Sequence, residues 1–306
     1  MLETTLIDTT YASGERVMRG TLLYDEPMAA HTSWRTGGRA ARYFIPADID
    51  DLALFLSQLD DDDAILWLGL GSNLLVRDGG IRGTVIAITG ILNELTLQTS
   101  GLRVGAGLTC AKAARFSASN ALTGAEFLAG IPGTIGGALA MNAGAFGSEI
   151  WDIVNCVETI NRRGERRERQ ASEFEIAYRS VNIVSDEWFI SAELRLKNDA
   201  KQMARSNIRE LLTQRANSQP IGEHSCGSVF RNPEDDYAAR LIESCGLKGK
   251  TIGGARVSEK HANFVINTGR ATAADIENLI LHIQKTIQEK CQVQLQTEVC
   301  IVGESQ

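Results

Sequence analysis

The sequence predicts an α+β chain of more than one subdomain, on three observations. Its 306 residues exceed what one hydrophobic core comfortably fills. Up to about residue 198, short β-like runs are broken by glycine. At Asp199 the texture changes to longer amphipathic helices alternating with short strands. The expected division is therefore 20–198, itself split into 20–90 and 91–198, followed by an α+β module at 199–306.

The first element is a helix over 48–59, where Asp48 can cap and Leu52, Phe55, Leu56 and Leu59 share one face. Residues 64–68 read as a buried strand that enters the turn Gly69-Leu70-Gly71-Ser72-Asn73 and leaves through Leu74. Further strands are expected at 84–88, 95–99 and 102–106, then a helix over 109–119. A second glycine cluster, Gly130-Ile131-Pro132-Gly133-Thr134-Ile135-Gly136-Gly137, continues into small residues as far as Ala145. A charged hairpin at 153–160 and 165–170 and a strand at 188–196 complete the first part. The second part reads as a helix from Asp199 to about Asn217, a loop over 218–227, a short strand, a helix over 235–244 and a strand over 262–267. An amphipathic helix over 272–290 follows, with Ile276, Leu279, Ile280, Ile283 and Ile287 on one face. Residues 293–302 alternate as a strand, with Glu298 on the face of Gln294 and Gln296.

Composition excludes several classes. Hydrophobic residues at 43% and charged residues at 23% are those of an ordinary globular chain. A net charge of −7 gives no general attraction for nucleic acid or anionic membrane. Acidic residues near the start and the lack of any long apolar run predict a cytoplasmic protein without membrane insertion. Six scattered cysteines form no CxxC pair and the four histidines cluster with none of them, so neither a metal site nor a disulfide framework is expected. Cys226 is expected to be a buried thiol.

Two glycine clusters invite a nucleotide site, but the common templates fail. Gly69-Leu70-Gly71 meets Leu74 where a third glycine is required, and Gly133 to Gly137 is not followed by Lys-Ser/Thr. Backbone nests can cradle a diphosphate without lysine, and tight turns between strands can use the same glycines. The run of Gly136, Gly137, Ala138, Ala140, Ala143, Gly144 and Ala145 favours a flat ligand lying on bare backbone.

Five motifs in order, His31 to Gly38, Leu68 to Leu75, Gly130 to Ala138, Gly227 to Pro233 and Ser258 to Phe264, together resemble the UDP-N-acetylenolpyruvoylglucosamine reductase family. The resemblance runs from about residue 30 to 302. It implies an FAD-binding region of the vanillyl-alcohol-oxidase (PCMH) type made of two α+β subdomains, plus a C-terminal α+β substrate-binding domain. It also implies NADPH as co-substrate and reduction of an enolpyruvyl ether to a lactyl ether in peptidoglycan precursor synthesis. Cofactor contacts carried over by the resemblance are Trp34, Thr36, Gly69, Gly71, Ser72, Asn73, Gly130, Pro132, Gly133, Gly136, Gly137, Asn142 and Gly144. No histidine lies in Gly69 to Asn73, so FAD is expected to be non-covalent.

Such a reduction needs a hydride at the methylene carbon, a proton at its neighbour, and stabilisation of charge building at the carboxylate. The resemblance assigns the proton to Ser228, the carboxylate to Arg179, and an acid or neutral hydrogen-bond donor to Glu298. Serine is a weak acid, but a carbon-centred enolate is basic enough to take its proton. Arg231, Asn232, Lys248 and Lys260 are further substrate-binding candidates, with Arg256 beside them. Arg162, Arg163, Arg166, Arg167 and Arg169 read as a solvated hairpin, and His261 as a structural histidine. The short span between Trp188 and Ser228 predicts the subgroup without an extra tyrosine loop. Competing expectations are an oxidase of the same architecture and a flavin-binding protein without catalysis. No protein partner is expected to be obligate.

Overall fold

In the computed structural model, which describes residues 17–199 and 202–306, the chain divides into two units built from discontinuous stretches. One takes the described residues up to Glu26 with Ala41–Gly69 and Gly83–Leu212; the other takes Pro27–Ala40, Leu70–Arg82 and Thr213–Gln306. A single cut at residue 199 does not reproduce this division, because Pro27–Ala40 and Leu70–Arg82 pack with the C-terminal part.

Two larger sheets dominate the first unit. In one, Thr21–Pro27, Arg39–Ile45, Ile81–Ala87 and Ile65–Leu68 lie in that order, the last two parallel. Helix α1 (Ile49–Ser57) is capped as expected, Asp48 accepting from Asp51 N–H at 2.9 Å. It buries Leu52, Phe55 and Leu56 in a cluster with Phe44 and Ile86, and Phe55 stacks on Phe44 with ring centroids 3.8 Å apart. The other sheet is antiparallel, in the order Arg166–Gln170, Val154–Asn161, Glu187–Arg195, Gly101–Gly105, Leu95–Gln98. Its core also receives α2 (Cys110–Ser119), capped by Thr109, and α3 (Ile135–Met141), capped by Thr134. Helix α3 lies in the second glycine cluster, where two glycines in its first turn mask its helical character in the sequence.

The charged hairpin is solvated only in part, contrary to expectation. Arg163, Arg166 and Arg167 are exposed, but alternation along Arg166–Gln170 turns Arg169 inward, where it is 8% exposed. Its guanidinium lies 2.6 Å from Glu187 and 3.2 Å from Glu173, and 4.9 Å from the Phe174 ring centroid. Arg162 is also engaged, donating to the carbonyls of Asp60 and Asp63.

Helix α4 (Ala204–Ser218) begins later than expected, and Asp199 serves as its cap, accepting from the N–H groups of Met203 and Ala204 at 3.0 and 2.8 Å. In the second unit α5 (Ala238–Ser244) precedes an antiparallel sheet of Thr251–Ile252, Ala255–Val257 and Val265–Asn267. Helix α6 (Ala273–Cys291) buries the five apolar residues that the sequence places on one face. Two distant segments complete this core. Leu74–Val76 pairs in parallel with Cys300–Val302, and Trp34, fully buried, donates from its indole to Val265 O at 2.7 Å. Asp78 accepts from the first two N–H groups of α6, at 2.9 and 2.8 Å.

The expected strand over 293–302 is a ladder only at Cys300–Val302. Upstream, one bridge joins Thr297 to Phe230. Leu295 and Val299 are nevertheless buried while Gln294 and Gln296 are exposed, since a period-two burial pattern needs only alternation and not a continuous partner.

Arg169→Ala leaves Glu187 buried without its cation and is expected to destabilise the protein by about 3 kcal/mol in chemical denaturation. Arg163→Ala, on the exposed part of the same hairpin, is expected to change stability by less than about 0.5 kcal/mol.

Candidate active site

In the second unit the segment around Ser228 is fixed by its neighbours on both sides. Val229 and Phe230 are buried anchors. Asn263 clamps them: its carbonyl accepts from Val229 N–H at 2.9 Å, its side-chain oxygen from Phe230 N–H at 3.0 Å, and its amide donates to Phe230 O at 2.8 Å. On the other side Glu298 N–H donates to Val229 O at 2.8 Å and Arg231 N–H to Gln296 O at 2.9 Å. Ser228 and Glu298, more than 60 residues apart in sequence, thus lie on adjoining backbone segments, both half-buried. Asn73 adds a further tie, its amide donating to Glu298 O at 3.0 Å. Membership of the Ser258 to Phe264 motif is the only signal Asn263 carries in the sequence, since an asparagine that clamps backbone looks like any polar loop residue.

Cys226 is 4% exposed, its thiol set toward Gly71 O and Leu74 O, and burial pushes it up to about 12. That is an inert structural thiol, as expected. His261 is half-buried; it accepts from Asn263 N–H at 3.3 Å and lies edge-on to Phe264. Burial, assisted by the charge of Lys248, lowers its pKa.

Arg179 belongs to the first unit, at the turn joining Glu175–Ala177 to Ser180–Asn182. With φ of +53° and a side chain only 15% exposed, it is no ordinary surface arginine. Its guanidinium donates to Asn142 O and Gly144 O, each at 3.1 Å, and to Glu149 at 3.4 Å. Asn142 and Gly144 were expected as cofactor contacts; the structure joins both to Arg179.

Several expected cofactor residues have protein contacts that account for them. Trp34 is committed to the core, and Thr36 donates its hydroxyl to Ala271 O at 2.8 Å. At Gly71 (φ +59°) a side chain would overlap His31 O, and at Gly69 it would stand 2.5 Å from Thr134 Oγ1. Gly130 packs against the Phe146 ring, Gly136 against Ala106 and Gly144 against Ser148 O. Ser72 and Asn73 are half-buried in the same turn as Gly71.

Other features fit a flat flavin. On α3 the outward positions are Gly137 and Ala140, exposed, and Met141, half-buried; Pro132 and Gly133 precede them. This surface carries almost no side chain. Next to it Asn142, 1% exposed, directs its amide to Glu149 and Ala177 O and leaves Oδ1 buried without a protein partner. That acceptor suits a ligand N–H or O–H.

The basic candidates differ in availability. Lys248 pairs with Glu243 at 2.8 Å, Lys260 donates to Ala216 O, and Asn232 accepts from Ala238 N–H at 3.1 Å at the start of α5. Arg231 Nε and Arg256 Nε are buried without a protein hydrogen-bond partner. Among the described residues no group of three or more His, Cys, Asp or Glu is arranged to hold a metal ion.

Asn263→Ala removes both side-chain bonds of the clamp and is expected to cost about 2–4 kcal/mol in chemical denaturation, as Phe230 N–H and O lose their partners in a buried setting. His261 has a lowered folded-state pKa, so the unfolded chain binds its proton more readily. Its contribution to stability is complete above the unfolded value of 6.5 and is lost as pH falls from there through the folded value. The drop in Tm from pH 7.5 to 5.5 is expected to be smaller in His261→Gln than in the parent.

Residues 219–302 match the UDP-N-acetylenolpyruvoylglucosamine reductase C-terminal domain, and residues 40–168 match the FAD binding domain. The UDP-N-acetylenolpyruvoylglucosamine reductase of Legionella pneumophila (strain Lens) is 59% identical over 289 residues, covering 94% of each chain. That of Nitrosococcus oceani is 56% identical over 288 residues, covering 94% of this chain and 97% of its own. The crystal structure of UDP-N-acetylenolpyruvylglucosamine reductase from Thermus caldophilus superposes with a TM-score of 0.79 at 30% identity, over 93% of this chain and 99% of that one. With identity of this order over nearly its whole length, the chain belongs to the UDP-N-acetylenolpyruvoylglucosamine reductase family.

Proposed function

We infer that this protein is an FAD- and NADPH-dependent oxidoreductase that reduces the enolpyruvyl ether of UDP-N-acetylglucosamine to UDP-N-acetylmuramate, a step of peptidoglycan precursor synthesis. The observation that carries this reading is 59% identity across 94% of the chain to a reductase of that name. Bound FAD supplies the hydride to the methylene carbon of the substrate. The remaining work falls to side chains.

Ser228 gives its proton to the carbon next to the carboxylate. Support comes from its setting: a half-buried hydroxyl on a segment held by Asn263 on one side and by Glu298 and Gln296 on the other loses little order when substrate arrives. Arg179 meets the substrate carboxylate, where a planar fork suits a planar anion carrying increasing charge. Glu298 serves that carboxylate as a neutral hydrogen-bond donor or acid. The buried, unpartnered Nε atoms support Arg231 as a substrate ligand and Arg256 as a candidate for a diphosphate. Asn232, Lys248 and Lys260 take a secondary part, since each must exchange a present partner.

Non-covalent FAD rests on the bare face of α3, with Gly133, Gly137 and Asn142 as its nearest contacts in this reading. Trp34 and Thr36 contribute through backbone only. No helix among the described residues is long and apolar enough to cross a membrane. Use of NADPH and a nucleotide sugar supports a cytoplasmic location. The short chain between the strand ending at Arg195 and Ser228 gives nearly half its length to α4, which supports the subgroup without an added tyrosine loop.

In stopped-flow experiments NADPH is expected to bleach the flavin, and the colour to return only on adding the enolpyruvyl nucleotide. Rapid return in air without the nucleotide would identify an oxidase instead. Ser228→Ala and Glu298→Gln are each expected to keep flavin and its reduction by NADPH while slowing nucleotide-dependent reoxidation by about 10²–10⁴-fold. Full activity in either variant removes that residue from the mechanism.

A further inference from the structure

Glu149 was assigned nothing by the sequence, yet its carboxylate gathers three donors beside Arg179. Arg179 Nη1 donates to Oε1 at 3.4 Å and Asn142 Nδ2 to Oε2 at 2.6 Å. The third donor is the backbone N–H of Asp152, in a reciprocal capping box that Glu149 N–H closes by donating to Asp152 Oδ2 at 2.8 Å. The backbone of Glu149 is registered against Gly144, whose carbonyl accepts from Arg179 Nη2 at 3.1 Å. Asn142 in turn donates to Ala177 O at 3.1 Å, two residues before Arg179.

Both residues linked by Glu149 have left-handed backbone, φ +47° at Asn142 and +53° at Arg179, which side chains other than glycine adopt at some cost and keep only when neighbours hold them. All three groups facing the carboxylate are donors. A carboxylate accepts from all of them, whereas an amide of the same shape would turn an N–H₂ toward at least one. The chemistry therefore calls for a carboxylate here, and its effect is to fix the guanidinium in one plane. Bidentate recognition of an anion depends on that plane.

We propose that Glu149 is a positioning residue for the reduction, holding the Arg179 guanidinium in the orientation that receives the enolpyruvyl carboxylate. This rests on the reading of Arg179 as the group that meets that carboxylate. Charge alone works the other way: removing the anion of Glu149 should favour an incoming carboxylate, so weaker binding reports lost geometry.

The test uses the FAD-loaded, oxidised enzyme, titrated through its flavin spectrum with the enolpyruvyl nucleotide and with UDP-N-acetylglucosamine, which lacks the carboxylate. Glu149→Ala and Glu149→Gln are expected to weaken the enolpyruvyl nucleotide by about tenfold or more and UDP-N-acetylglucosamine by less than about twofold. Arg179→Ala is expected to show the same selectivity, and the Arg179→Ala, Glu149→Ala double variant to be no worse than Arg179→Ala alone. Should Glu149→Ala fail to retain flavin, the near-isosteric Glu149→Gln carries the comparison. Equal weakening of both ligands, or tighter binding of the enolpyruvyl nucleotide by Glu149→Gln, overturns the inference. If Arg179→Ala is selective and the Glu149 variants bind normally, the positioning role falls and the reading of Arg179 stands. If Arg179→Ala loses no selectivity, it is the reading of Arg179 that falls.

Discussion

The second unit depends on a parallel pairing between segments more than 220 residues apart, Leu74–Val76 with Cys300–Val302. Around that pair the chain closes on itself: Arg77 N–H donates to Val302 O and Gly79 N–H to Glu304 O. The Arg77 guanidinium forks onto Glu277 of α6 and also reaches Gly303 O. Asp78 caps α6 from the same stretch. One short segment therefore supplies a strand partner, an ion pair and a helix cap, and the residues leading into Cys300, Glu298 among them, are placed by it. The turn before this segment must be tight, and Gly71 fulfils that need.

Placement of the candidate site side chains in this protein relies largely on hydrogen bonds made by polar side chains. Asn263 holds the Ser228 segment by bonding its main chain, and Asn73 does the same for Glu298. In the first unit Asn142 and Glu149 hold the turn that carries Arg179. A hydroxyl or guanidinium on a loop is precise only when the loop has no alternative conformation of similar energy, and buried amide clamps remove those alternatives. Arginines serve the same end in an acidic chain: Arg169 cements a hairpin, Arg77 ties α6, and Arg179 ties its own turn to Asn142, Gly144 and Glu149.

The glycine-rich clusters illustrate how one composition serves two demands. Gly69, Gly71, Gly130, Gly136 and Gly144 have close protein neighbours, whereas Gly137 faces outward on a helix together with Ala140 and Met141. The first group shapes the unit and the second leaves a bare surface. Sequence alone could not separate them, because both need the same absence of a side chain.

The sequence by itself determined the fold class, the helices α1, α2 and α6, the Asp48 cap, the buried faces of α1 and α6, the buried nature of Cys226, and the family through five ordered motifs. These are local properties: periodicity, capping residues and motif order are written in neighbouring positions, and burial follows from them. The tertiary structure decided the rest. It moved Pro27–Ala40 and Leu70–Arg82 into the second unit, turned Arg169 inward, and committed the Trp34 side chain to the core. It also gave Asn263 and Glu149 their work. Each of those outcomes is set by a partner distant in sequence, and an asparagine, arginine or glutamate carries no local mark of which backbone group it will meet once the chain has closed.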